Sequence, residues 1–231
     1  MAKTHNKFSI IKNLLTLGRF STSEMFGLDA EIGSVIFNTD IQNLVVFTTQ
    51  GWRDMQGEEL VQLNTIFYEN FESGDFITNN WQVVNGGTNN WIVSDAENYT
   101  GDYSAIISNN NQDAIYNERR TQVSHIYKDV LLPTSSNISL DFMWKAKAEV
   151  NYDYGRVYII PTTVTPQANA MLSSSYLVAS DLNNERFWVK KTIDLTSYAN
   201  TTIRLVLSWK NDSSVGSSPS LCVDNLLITN I

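Results

Sequence analysis

Three acidic residues far apart in the chain are typed for holding a hard cation: Glu72 in "NFES", Asp102 in "TGDYS" and Asp224 in "VDN". Calcium takes several oxygen ligands, carboxylate and carbonyl together, and the loops of a β-sandwich supply them where strand ends converge. Glu72 and Asp224 can equally satisfy buried backbone amides or a nearby arginine, and the residues alone leave both readings open. A second acidic group, Glu149, Asp153 and Asp212, reads as a solvated or hydrogen-bonded loop set. Aromatic residues are the other chemical resource, with six tryptophans and ten tyrosines. Trp91, Trp144, Trp188 and Trp209 fall in strand-like stretches and are expected in the core. Tyr99, Tyr103, Tyr152 and Tyr154 sit beside Asn and Asp in loops, where an aromatic face with polar neighbours suits a sugar ring, and they are the ligand-contact candidates.

The residue types speak against catalysis. His5 and His125 have no serine or cysteine partner set that can be assembled around them, and Asp141 with Glu149, or Glu149 with Asp153, are carboxylate pairs whose separation across a cleft, which glycosidase chemistry requires, the sequence does not give. No glycine-rich phosphate loop or thiolate metal spacing occurs. The one cysteine, Cys222, lies in the apolar run "LCVDNLLI" and reads as a buried, inert thiol. A net charge of −8 argues against sequence-independent nucleic-acid binding, which needs clustered Lys and Arg. The expected class is a binding or structural protein, not an enzyme.

Elements must hold these residues in place. In the opening stretch, Phe8, Ile11, Leu14 and Leu15, with Ile10 and Leu17 beside them, recur at roughly helical spacing and predict a short amphipathic helix. Lys12 and Asn13 break the apolar run, so the stretch does not read as a secretion signal, and no run approaches a membrane span. The stretch "GSVIFNTDIQNLVVFTTQGW" reads as a hairpin in which Val35 and Phe37 face one way and Ile36 the other, while Leu44 and Val46 oppose Val45 and Phe47. Two apolar faces on so small a unit require a partner. We expect self-association, with Val35, Phe37, Leu44, Val46, Phe47 and Trp52 as the oligomerisation residues and Gly27, Gly33 and Gly51 marking turns.

From about Ile66 onward the texture changes to short strands bounded by turn residues, among them "WQVV", "WIVS", "SAIIS", "SHIYKDVLL", "GRVYII" and "TIRLVLSW". In the last, Ile203, Leu205 and Leu207 share a face against Arg204, Val206 and Ser208, as in a sandwich strand. Many such strands without a convincing helix predict an all-β sandwich of jelly-roll or immunoglobulin-like type.

The succession "FESGDF", "NNWQVV", "NNWIVS", "YTGDYSAIISN", "TIDLTSYANTTIRLVLSWKND" and "GSSPSLCVDNLLIT" resembles the cleaved-adhesin, or choice-of-anchor J, domains of Bacteroidota surface proteins, relatives of MAM domains. That resemblance spans about residues 67 to 231. It implies a concanavalin-like jelly roll that binds or decorates, with a cation near Glu72 and Asp224 on the first and last strands. "GSVIFNTDIQNLVVFTTQGWRDM" is similar to a segment of tail-fibre and appendage proteins of phages that infect Bacteroidota. The resemblance to surface adhesins is incomplete: no secretion signal, long upstream protein or C-terminal sorting domain is evident.

These readings combine into residues 1–60 as an attachment and oligomerisation segment and 61–231 as an adhesin-like jelly roll. The first expectation is a virion protein, a phage fibre or spike subunit. It would form a homo-oligomer, preferentially a trimer, hold other virion proteins through its N-terminus and a host-surface glycan or protein through its sandwich, and contain structural calcium. The alternative is a Bacteroidota-type surface or secreted adhesin or carbohydrate-binding module, extracellular or on the cell surface. A passive capsid-decorating protein is the third possibility.

Overall fold

In the computed structural model, which describes residues 9–11, 14–58 and 64–230, the segment expected to be an amphipathic helix contains strands. β1 (Ser9–Ile11) and β2 (Leu14–Thr16) pair antiparallel, Ser9 opposite Thr16 and Ile11 opposite Leu14. Phe8 lies outside the described residues. The apolar positions fit either period over so short a run, and Ile10, Ile11 and Thr16 are β-branched, which favours the pleated form.

The chain divides into two units, Met1–Leu63 and Asn64–Ile231. In the first, β3 (Arg19–Phe20), β4 (Val35–Asn38), β5 (Asn43–Thr48) and β6 (Gly51–Asp54) form a sheet in that order, with α1 (Thr22–Phe26) between β3 and β4 in the chain. The helix starts on a capping box: the Ser21 hydroxyl accepts the Glu24 N–H at 3.2 Å, and the Glu24 carboxylate accepts the Ser21 N–H at 2.9 Å.

The unit has a core of its own, contrary to the sequence reading. Phe20, Met25, Ile36, Val45 and Trp52 are buried together, and Phe47 packs on them with its ring 5.2 Å from that of Trp52. The partner of the hairpin's inner face lies immediately upstream, in β3 and α1, which a reading of the hairpin alone does not supply. Trp52 and Phe47 therefore serve this internal core. Val35, Phe37, Leu44 and Val46 share the opposite face and are half-buried, with the Arg19 guanidinium 4.6 Å from the centre of the Phe37 ring.

The second unit is an all-β sandwich. Its strands are β7 (Asn64–Glu69), β8 (Gln82–Val84), β9 (Asn90–Ser94), β10 (Ser104–Ser108), β11 (Gln122–Leu131), β12 (Ile138–Ala146), β13 (Tyr154–Pro161), β14 (Leu177–Leu182), β15 (Glu185–Asp194), β16 (Thr202–Asn211) and β17 (Cys222–Asn230). A six-stranded sheet runs β15-β12-β17-β10-β9, with β7 also pairing β17; a five-stranded sheet runs β14-β13-β16-β11-β8. All of these pairings are antiparallel. Most connections cross between the sheets, as in a jelly roll.

The core between the sheets follows from period-two alternation. Leu140, Phe142 and Trp144 of β12 face Leu205, Leu207 and Trp209 of β16 across a buried apolar layer. Trp91, Trp144 and Trp209 are buried as expected, but Trp188 is not. Val189 is in register with Trp144 and shares its inward direction, which turns Trp188 to the outer face of the six-stranded sheet. Cys222 is buried, and burial pushes its thiol well above the ordinary value. Among the described residues, no helix is long and apolar enough to cross a membrane.

The outer face of the five-stranded sheet is also partly apolar. Tyr158, Ile160 and Val206 are buried there, packed by Val164, Leu172 and Tyr176 of a strap, residues 162–176, that joins β13 to β14. The strap is tied to the sheet at several points. Arg204 Nη1 donates to the Val164 carbonyl at 2.7 Å, His125 Nε2 lies 3.0 Å from the Ala170 carbonyl, and the Asn169 amide donates to the Gly86 carbonyl at 2.7 Å. His125 Nδ1 lies 2.6 Å from the Ser208 hydroxyl, so this buried histidine is structural.

Candidate functional site

Beside the strap, the outer face of the five-stranded sheet opens into a groove of about 540 Å³ lined by Asn80, Gln82, Tyr127, Lys128, Asp129 and Arg204. Register builds it. Gln82 on β8 is opposite Tyr127 on β11, and Asp129 is opposite Arg204 on β16. Cross-strand partners share a face, so the four side chains converge on one side of the sheet. Arg204 is fixed from several directions: its Nε and Nη2 donate to the Asp129 carboxylate at 2.7 and 2.9 Å, its Nη1 holds the strap, and its guanidinium lies 4.5 Å from the Tyr127 ring centre. A forked ion pair stacked on an aromatic ring is a preorganised polar surface, and Asn80 and Gln82 add amide donors and acceptors at its edge. Such a set can hydrogen-bond vicinal hydroxyl groups while the ring meets an apolar sugar edge.

The tyrosines expected to contact ligand divide between two places. Tyr152 is exposed, and Tyr154 lies under two cations, Arg156 at 4.4 Å and Lys210 at 5.1 Å from its ring centre; Lys210 also donates to the Tyr152 carbonyl at 2.9 Å. Tyr99 and Tyr103 belong to the 95–103 loop ahead of β10 on the other sheet. Sequence reasoning missed Tyr127, Asp129 and Arg204. Their signal was present in "SHIYKDV" and "TIRLV", where they occupy the strand face opposite the core positions, but a polar residue on that face is ordinary unless its cross-strand partner is known.

Two carboxylates of the first acidic trio, those of Glu72 and Asp224, are engaged by backbone N–H groups, and Asp102 takes part through its own N–H. The Glu72 carboxylate accepts the Asp102 N–H, 3.0 Å from each oxygen, and the Tyr103 N–H at 3.0 Å. Gly101 makes room for it, since a Cβ there would lie 2.4 Å from Glu72. The buried Asp224 carboxylate accepts N–H groups of Tyr99 at 2.9 Å, Thr100 at 3.2 Å and Asn225 at 2.7 Å. Burial nevertheless raises the Asp224 pKa, with the nearby Glu72 charge adding to the rise. An acid that the sequence reading passed over, Glu69, is buried at the end of β7 and accepts from Phe71 N, Asn79 Nδ2 and Trp81 Nε1 at 2.8, 3.0 and 2.8 Å.

The second acidic group is the one that the fold gathers. Ligand oxygens of Glu149, Asp153 and Asp212 lie within 4.8 Å of one another, and among the described residues no other group of three or more such side chains does so. Asp153 is fully buried and accepts the Tyr116 hydroxyl at 2.6 Å and the Asp212 N–H at 2.8 Å. Ser214 Oγ donates to Asp212 at 2.8 Å and to Glu149 at 3.0 Å. Burial raises the pKa of Asp153, and the Asp212 and Glu149 charges oppose its ionisation further. These oxygens suit a hard cation, which would relieve that repulsion.

No family model and no curated protein matches this chain. Several solved structures are similar to it. The carbohydrate-binding module TmCBM61, in complex with β-1,4-galactotriose, is 12% identical with a TM-score of 0.46, over 70% of this chain and 94% of that one. The K3 cleaved adhesin domain of Lys-gingipain from Porphyromonas gingivalis is 15% identical with a TM-score of 0.44, over 71% of this chain and 98% of that one. The enzymatically active domain of tailspike protein 4 from bacteriophage CBA120 is 10% identical with a TM-score of 0.41, over 70% of this chain but 20% of that one.

Proposed function

We propose that the sandwich unit is a non-catalytic carbohydrate-binding module of extracellular or cell-surface type that takes a glycan in the groove at Tyr127. The observation that carries this reading is the Arg204–Asp129 pair locked over Tyr127 beside Asn80 and Gln82 on a solvent-facing sheet. Screening the full chain on an arrayed glycan panel tests it. Binding should fall about tenfold or more in Tyr127→Ala and in Gln82→Ala, with the melting temperature of the exposed Gln82 variant close to that of the parent, whereas Tyr127 also packs on the buried Tyr158, Ile160 and Val206 and its variant should melt lower. Retained glycan binding in both variants places the ligand elsewhere, and a blank panel removes the reading.

We also propose calcium as a structural ion for this unit, held by Glu149, Asp153 and Asp212 in place of the expected Glu72, Asp102 and Asp224. Adding calcium to chelator-treated protein should raise the melting temperature, and Asp153→Asn should abolish the increment; an unchanged melt removes the ion from the proposal.

The fibre or spike reading stands second, favoured by the half-buried apolar stripe Val35, Phe37, Leu44 and Val46 on the first unit. A full chain that is trimeric in solution, beside a fragment of residues 64–231 that is monomeric, supports it. A full-length monomer sinks it.

A further inference from the structure

The six-stranded sheet carries aromatic side chains on its outer face, away from the Tyr127 groove. Trp188 of β15 is turned outward there and rests on a small apolar patch of Ile106, Ala114 and Cys222. Its ring centre lies 6.1 Å from that of Tyr99, with the planes inclined by 59°. Tyr99 is 46% exposed, so the pair is seated in the fold but open to solvent. The loop bearing Tyr99 is held from below by Asp224, which takes the N–H groups of both Tyr99 and Thr100.

The surroundings select the kind of ligand. The Lys145 ammonium lies 4.9 Å from the Trp188 ring centre, and its charge is met by an ion pair with Glu97. Lys190 and Asp141, on the same sheet face, are likewise paired at 2.9 Å. Apart from these paired charges and the Asp224 carboxylate, which backbone N–H groups satisfy, the polar groups beside the rings are neutral. Asn225 Nδ2 donates to Thr100 Oγ1 at 2.8 Å, and the Tyr68 hydroxyl donates to Asn225 Oδ1 at 3.2 Å, with Tyr68 itself half exposed. Paired charges offer little to an ionic ligand. Fixed aromatic rings edged by an amide and hydroxyls match the two aspects of a neutral sugar, its C–H face and its hydroxyl rim.

We propose that Tyr99 and Trp188 form a second site, which stacks a neutral pyranose, and that the sandwich is divalent, with saccharide sites on the outer faces of its two opposed sheets. A molecule of this kind cross-links two glycan chains. The inference shares the class of ligand with the groove reading but rests on different residues.

A titration of the full chain, followed by NMR at the tryptophan indole N–H signals and using galactotriose, xylotriose and cellotriose as probes, tests it. At least one sugar should shift the Trp188 signal, assigned by its loss in Trp188→Ala. Affinity read at that face should fall about tenfold or more in Tyr99→Ala. The shift should persist in Tyr127→Ala. Tyr99 is exposed enough that its variant should fold even where Trp188→Ala does not. A panel in which no sugar moves the Trp188 signal overturns the second site, as does a shift that vanishes in Tyr127→Ala, which would leave the groove as the sole site. A Trp188 shift that persists while Tyr127→Ala changes nothing anywhere keeps this site and overturns the groove.

Discussion

His125 shows how one buried side chain couples the sandwich to pH. Its imidazole is enclosed between Ser208 and the Ala170 carbonyl, and burial holds its pKa below the ordinary 6.5. At and below 6.5 the unfolded chain gains a proton that the folded one resists, so stability is full above that value and is lost as pH falls through the depressed folded pKa. Thermal melts from about pH 7 to about pH 5 should therefore show a falling midpoint in the parent and a shallower fall in His125→Gln. Equal slopes would show that other groups carry the dependence. The sequence marked this histidine as structural or surface, which was as far as strand alternation could take it. Glu69 and Glu72 show the limit more sharply: they stand three residues apart in "ENFE", and only the register of β7 on β17 reveals which of them enters the core.

At the level of elements, the strands of the sandwich other than β7 were legible because they are alternating runs, or short apolar runs such as the fully buried β10, closed by turn residues. The strap was not, since "TTVTPQANAMLSS" has no period and its order comes from contacts with residues distant in the chain. Asn169 is the central tie: its backbone N–H donates to the Val123 carbonyl at 3.0 Å, its side-chain oxygen accepts the Val123 N–H at 3.2 Å, and its amide reaches Gly86. A Cβ at Gly86 would sit 2.4 Å from both Asn169 Oδ1 and the Val123 carbonyl. Gly86→Ala should thus dislodge the strap at a cost of about 1–3 kcal/mol and speed proteolytic cleavage within residues 162–176, read by mass spectrometry of the fragments. Cleavage there at the parental rate would mean that the strap yields without losing its ties. The first unit was misread for a related reason: the covering of Ile36, Val45 and Trp52 comes from Phe20 and Met25, outside the hairpin whose pattern drew attention.

For the molecule as a whole, the two units differ greatly in how much apolar surface they enclose. The first buries five hydrophobic side chains in its described core, whereas the sandwich encloses a continuous layer between two sheets. Small domains bury a lower fraction of their surface and are correspondingly marginal. Calorimetry of the full chain should show the first unit melting below the sandwich, and a fragment of residues 64–231 should keep the upper transition. A single transition at one temperature for both would mean that the units stabilise each other.

The place of β7 beside β17 has a mechanical consequence. The two strands run antiparallel, with Asn64 opposite Asn230, so the entry and exit of the sandwich lie side by side at one edge. Tension drawn through those two points would load the hydrogen bonds of the pair one after another, as in a zipper, and none would share the pull with the next. Tension entering at Asn64 and leaving at Ser220, near the far end of β17, would load the same ladder in shear, with its bonds resisting together.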